Sequence, residues 1–118
     1  MSDRPIVLLI EDIWDAISRV QQYTAGLDQE SFSGDSRTID AVVRNLEVIG
    51  EAAGRLPEEF RASQPSVEWR KIVGLRNRVI HGYFSVDLGI IWQILQWDLP
   101  RFSDSVRAIR SQLASDHE

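Results

Sequence analysis

Apolar residues in this chain recur at three- and four-residue steps along most of its length, and nowhere do they alternate as a strand requires. That period places them on one face of a helix, so an all-α fold is predicted before any motif is considered. The first helix is expected over 3–23, with Ile6, Leu9, Ile13, Ile17 and Val20 on its inner face. Pro5 falls in its first turn, where a missing N–H costs nothing, and Gly26 marks its end. Residues 28–32 form one more short turn before Ser33-Gly34 breaks it. Asp35 or Ser36 then caps a second long helix carrying Ile39, Val42, Val43, Leu46, Ile49 and Ala53. Gly50, Ala52, Ala53 and Gly54 leave room there for close approach by another helix.

Leu56-Pro57 punctuates the chain, and 58–62 resumes as helix. A third helix is expected from Ser66 to Ile80 with Gly82 as its C-cap, and a fourth from the N-cap Asp87 with Leu88, Ile91 and Leu95 inward. Pro100 kinks or restarts that helix, whose continuation buries Phe102, Val106, Ile109 and Leu113. The expected architecture is a single domain over 3–113, an up-and-down bundle of four to five helices, with 114–118 a frayed tail.

At 118 residues the chain is about one domain long, and 43% hydrophobic residues suffice for a core. It has no cysteine, which removes thiolate metal sites, disulfides and cysteine nucleophiles. A net charge of −5 argues against coating nucleic acid through global charge and leaves a local basic site open. The apolar run Ile6 to Ile10 is far short of the roughly 20 residues of a membrane helix. It is followed by Glu11 and Asp12 with no small-residue cleavage site, so neither membrane nor signal peptide is expected, and the compartment is the cytosol.

Between Glu68 and Asp87 there is no acidic residue, while Arg70, Lys71, Arg76 and Arg78 all fall in that gap. Such a cluster is commonly a solvated face. Here, however, the stripe of the third helix reads Trp69, Ile72, Val73, Arg76, Val79, Ile80, which puts a guanidinium where an apolar residue belongs. A charge there needs a carboxylate partner, a wet cleft or a bound anion, and Glu51 on the second helix is a candidate partner. His81 closes the same helix, as a cap, a surface residue or a proton-transfer group. The other histidine is His117 in the tail, so one chain cannot assemble a His-rich metal site. On an ideal helix Arg76 and His81 stand about 140° apart around the axis and about 7.5 Å apart along it, which makes Asn77 the better-aligned neighbour of His81. A symmetric dimer that brings a second copy of the helix alongside resolves the difficulty by sharing the site. Trp14, Trp69, Trp92 and Trp97 read mainly as packing residues; Trp92 and Trp97 are five apart and cannot both centre one stripe, so one of them faces outward or a partner chain.

The stretch Gly74-Leu75-Arg76-Asn77-Arg78-Val79-Ile80-His81-Gly82-Tyr83-Phe84 resembles the HEPN superfamily, specifically the HepT-like toxins. Their signature is Arg, a polar residue, a few variable positions, His, any residue and Tyr, matched here by Arg76, Asn77, His81 and Tyr83. The run Ala41 to Ala52 is similar to the family's second helix, and Trp69 to Leu75, Val86-Asp87 and Asp98-Leu99-Pro100 follow its pattern. The resemblance implies a dimerising all-helical toxin that cleaves RNA with no metal or cofactor. It also implies a nucleotidyltransferase antitoxin, which binds the toxin and adenylylates the tyrosine corresponding to Tyr83. On this resemblance Arg76, Asn77 and His81 are the catalytic set: His81 moves the proton, Arg76 neutralises the phosphate, and Asn77 orients either group. Arg78 and Lys71 are expected to guide the RNA backbone or simply to be solvated, and Tyr83 to stack on a base or bond the phosphate. The alternative is an inactive HEPN-type adaptor that binds a nucleotidyltransferase or its nucleotide.

Overall fold

A computed structural model describes residues 4–82 and 85–116. Tyr83, Phe84 and His117 lie outside the described residues. The architecture is all-α, interrupted by one very small hairpin. Helix α1 (Ile6–Thr24) follows Pro5, whose carbonyl accepts from the Leu9 N–H at 3.0 Å. It buries Leu9, Ile10, Ile13, Ala16, Ile17 and Val20, the expected face with Ile6 only half-buried. Gly26 takes a φ of +79° in the turn beyond it, a conformation in which a Cβ would be strained. The short α2 (Gln29–Ser33) is held by a reciprocal cap. The Ser31 N–H donates to Asp28 Oδ1 at 2.8 Å, and the Asp28 N–H donates to Ser31 Oγ at 3.0 Å. Phe32 from this turn is fully buried and meets the half-buried Trp92 ring at 5.6 Å.

Helix α3 (Ser36–Arg55) is capped by Asp35, which accepts from the Thr38 N–H at 3.1 Å and from its hydroxyl at 2.7 Å. Its inner face is Ile39, Val42, Leu46, Ile49, Ala52 and Ala53. The one buried amide on that face, Asn45, donates from Nδ2 to the Ala41 carbonyl at 2.8 Å and so is satisfied within the helix. Gly50 is needed for packing: a Cβ there would sit 3.1 Å from the Ile72 carbonyl oxygen and 3.2 Å from that of Val73. The small residues of α3 therefore do admit another helix at backbone distance.

After α4 (Glu58–Ala62), the expected helix over 66–80 is two helices, α5 (Trp69–Val73) and α6 (Leu75–Val79). The boundary is Gly74, whose φ of −86° and ψ of 8° end one helix and begin the other. Ile80–His81 (β1) and Ser85–Val86 (β2) then pair antiparallel, with Ile80 opposite Val86 and His81 opposite Ser85. The helix thus ends at Val79, and Gly82, with φ of +76°, serves the hairpin turn and not a helix C-cap.

Helix α7 (Leu88–Gln93) starts at the N-cap Asp87 and runs through a π-helical turn, Ile94–Asp98, into α8 (Leu99–Asp116). The turn is widened by a bond from the Leu99 N–H to the Ile94 carbonyl, five residues back. Pro100 accounts for it: a proline lacks the N–H and crowds the carbonyl four residues earlier, and a wider turn relieves that clash. Trp97 leaves the turn 65% exposed. Helix α8 buries Leu99, Phe102, Ser103, Val106 and Ile109, leaves Leu113 half-buried, and continues to Asp116. Helix α1 packs against α3 and α8, α3 against α5 and α6, and α6 against α7, so one continuous core joins all the long helices. No helix among the described residues is long and apolar enough to cross a membrane.

Candidate active site

The break at Gly74 decides which side chains of the basic segment reach solvent. Beyond it the buried positions are Leu75 and Val79, following Ile72 of α5, while Val73 is exposed. Arg76 therefore does not occupy the apolar stripe. The two short helices place it on the flank, with its side chain 62% exposed. It opens onto a groove against α3 that is lined by Glu47, Gly50, Glu51, Gly54, Val73 and Asn77.

The carboxylate beside Arg76 is Glu47, with Nε 3.6 Å from Oε2, and not Glu51. Glu51 is taken by Arg55 one turn along α3, at 2.9 Å. A separation of 3.6 Å is beyond N–H···O hydrogen-bond length, and exposed pairs are weak. The Arg76 guanidinium thus keeps most of its donors for another anion. Asn77 is exposed in the same groove.

His81 lies on β1 and not at a helix terminus, so the helix dipole does not bear on its charge. Its backbone is held on both sides. The Ser85 hydroxyl donates to the His81 carbonyl, and the Asp87 N–H donates to the Val79 carbonyl at 2.8 Å. The imidazole is 56% exposed, with Nε2 3.8 Å from Asp87 Oδ2. It is outside the lining of the Arg76 groove, so one chain brings Arg76 and Asn77 together and carries His81 separately on the hairpin.

Arg78 and Lys71 belong to a different face. Two residues from Arg76, Arg78 points about 200° around the helix. There it meets Asp98 of the π-helical turn, with Nη2 2.8 Å from Oδ2 and both side chains about 30% exposed or less. Arg78 Nη1 is buried with no hydrogen-bond partner. Lys71 pairs with Glu68 at 3.2 Å and lines a pocket with Ser66, Asp98, Arg101, Phe102 and Ser105. The sequence reading missed Glu47 as the partner of Arg76; its one signal was its place a single turn before Glu51 on the same helix face. It also took Asp87 only as a cap, although the same carboxylate faces His81.

Chemically, this surface offers a guanidinium and an amide in an open groove, and an imidazole on a braced hairpin. These groups suit phosphate neutralisation and proton transfer. A profile of the family described as Ribonuclease HepT-like matches residues 13–109. The chain is 35% identical over 101 residues to a probable ribonuclease HepT of Thermococcus cleftensis, covering 86% of this chain and 92% of that protein. It is 35% identical over 109 residues to a putative RNase of Methanocaldococcus jannaschii, covering 92% of this chain and all of that protein. A putative RNase of Caldanaerobacter subterraneus is 40% identical over 84 residues, 71% of this chain and 75% of its own. No solved structure matches the chain. With most of its length matched by the profile, and relatives similar from end to end, this chain belongs to the HepT-like ribonuclease family.

Proposed function

We propose that this protein is the toxin of a toxin–antitoxin pair, a metal-independent endoribonuclease of the cytoplasm that cuts RNA by transesterification. The observation that carries the reading is Arg76: an exposed, weakly paired guanidinium beside Asn77 in an open groove. In the reaction the RNA 2′-oxygen forms a bond to the adjacent phosphorus, and the bond from phosphorus to the 5′-oxygen breaks. His81 accepts the proton of the 2′-hydroxyl, and the departing 5′-oxygen takes a proton from a second imidazolium in the cleft. Arg76 holds the non-bridging oxygens as their charge grows, and Asn77 orients the phosphate.

Two imidazoles in one cleft require two chains, since His81 and His117 are the only histidines. A homodimer formed about the Gly50–Gly54 groove would bring each Arg76 and Asn77 towards the other chain's hairpin. The exposed Val73 at the edge of that groove is suited to such a contact. Lys71 and Arg78 act in this scheme at the periphery, along the flank that carries Asp98. Tyr83, two residues after His81, is the position at which a nucleotidyltransferase antitoxin adds AMP. The added negative charge and bulk there oppose RNA entry.

The test is cleavage of RNA by the purified protein in EDTA, beside Arg76→Ala and His81→Ala. Cleavage that survives chelation, leaves cyclic phosphate ends and falls at least about 100-fold in both variants is expected. Loss of cleavage on chelation would remove the metal-independent mechanism, and an inactive dimer would assign the chain to the adaptor class. Incubation with ATP and the antitoxin should add one adenylyl group at Tyr83; addition at another residue overturns that assignment.

A further inference from the structure

The carboxylates around the basic segment are each committed to a cation: Glu47 to Arg76, Glu51 to Arg55, Glu68 to Lys71 and Asp98 to Arg78. Asp87 differs, because it faces the imidazole. It is also held firmly. Its N–H bonds the Val79 carbonyl at 2.8 Å, its carbonyl accepts from the Ile91 N–H at 2.9 Å, and its Oδ1 accepts from the Ile90 N–H at 3.0 Å. With Oδ1 spent on the helix cap, Oδ2 is the oxygen left over, and it stands 3.8 Å from His81 Nε2. That gap is longer than a hydrogen bond by under an ångström, and an exposed ring closes it by a small rotation. Catalytic hydrogen bonds are commonly long before substrate binds.

We infer that Asp87 is a positioning residue for His81: Oδ2 accepts the Nε2–H and fixes the ring in the tautomer that leaves Nδ1 bare. Nδ1 then carries the lone pair that takes the 2′-hydroxyl proton. One carboxylate thereby ties the start of α7 to the orientation of the proton-transfer group, as an aspartate orients histidine in a hydrolytic triad. The inference rests on the proposed role of His81, and its test separates the two.

Asp87→Asn keeps an oxygen for the Ile90 N–H, since Asn caps helices as well as Asp. It can present an NH2 donor to Nε2 where Asp87 presents an acceptor. Asp87→Ser keeps a capping hydroxyl that is too short to reach the ring. Both variants should melt close to the unsubstituted protein. For both, kcat is expected to fall about 100-fold while KM for RNA stays within about threefold.

The second readout is nitrogen NMR of histidine-labelled protein, with His81→Ala identifying the signal. Unsubstituted protein should show Nε2 protonated and Nδ1 bare, and Asp87→Asn should reverse that preference. Full activity with an unchanged ring spectrum in both variants overturns the inference and leaves Asp87 a cap. If the unsubstituted protein cuts no RNA, the proposed function fails. The reversal of tautomer in Asp87→Asn then still supports the contact, and its absence overturns it.

Discussion

Helices α1 and α3 run for nineteen and twenty residues and bury long apolar faces against each other, whereas α5 and α6 have five residues each and lead into strands of two. The long pair is fastened at its ends. Asp35 caps α3, and Glu11 of α1 receives two bonds from Arg110 of α8, at 2.6 and 3.0 Å. Trp14 lies beneath the guanidiniums of Arg110 and Arg107, at 4.7 and 5.6 Å. The short pair rests on that frame through Ile72, Leu75 and Val79 and turns its cations outward. The difference teaches that stability and chemistry are divided along the chain. A long helix commits a whole face to the core, while a five-residue helix inserts one or two side chains and leaves the rest free to meet a ligand.

The sharpest way to break this division is in the frame. Ile13 is fully buried, so Ile13→Ala should cost about 3 kcal/mol in chemical denaturation, with no direct effect on the groove. Arg78→Ala tests the border, since it leaves Asp98 half-buried without its cation. A loss of about 1–2 kcal/mol is expected, with RNA cleavage reduced far less than in Arg76→Ala.

Smaller again is Asp35→Ala, which removes the α3 cap and should lower the melting temperature by a few degrees. Bonds from the Thr38 hydroxyl and N–H hold the Asp35 carboxyl below its usual range, the Ser31 N–H does the same for Asp28, and Arg110 for Glu11. A carboxylate lowered in the folded state stabilises above its unfolded pKa, and that contribution is lost as pH falls through the folded value. Thermal melts should therefore decline on acidification below about pH 5, and Asp35→Ala should decline less steeply. The smallest effect belongs to Trp97→Ala, within about 0.5 kcal/mol at protein concentrations that keep the chain monomeric, because its ring is mostly in solvent.

The same contrast explains what could be read from the residues. The 3.6-residue period holds over α1, α3 and α8 because their inner faces are continuous, and the caps Asp35 and Asp87 stand where short polar side chains precede apolar runs. It misleads between Trp69 and Ile80, where the stripe was drawn through Gly74 as though one helix continued. The break brings Leu75 inward and leaves Arg76 outside, so the pairing of Arg76 with Glu47 follows from a turn that periodicity does not register. The position of His81 was misjudged for the same reason: two residues of extended pairing are too short to show as alternation. Arg76, Asn77 and His81 were identifiable as a set through the spacing of the family motif, while their division between groove and hairpin depends on tertiary packing.

The widened turn before Pro100 has a consequence for how this chain tolerates change in length. A π-helical turn holds one residue more than the helix around it. Deleting any one residue of Ile94–Asp98 would restore the tighter winding and swing the eighteen residues of α8 by about 100° relative to α7. Phe102 and Val106 would rotate out of the interior and charged neighbours would rotate in. A single lost codon in this surface turn would be as damaging as one in the middle of the bundle.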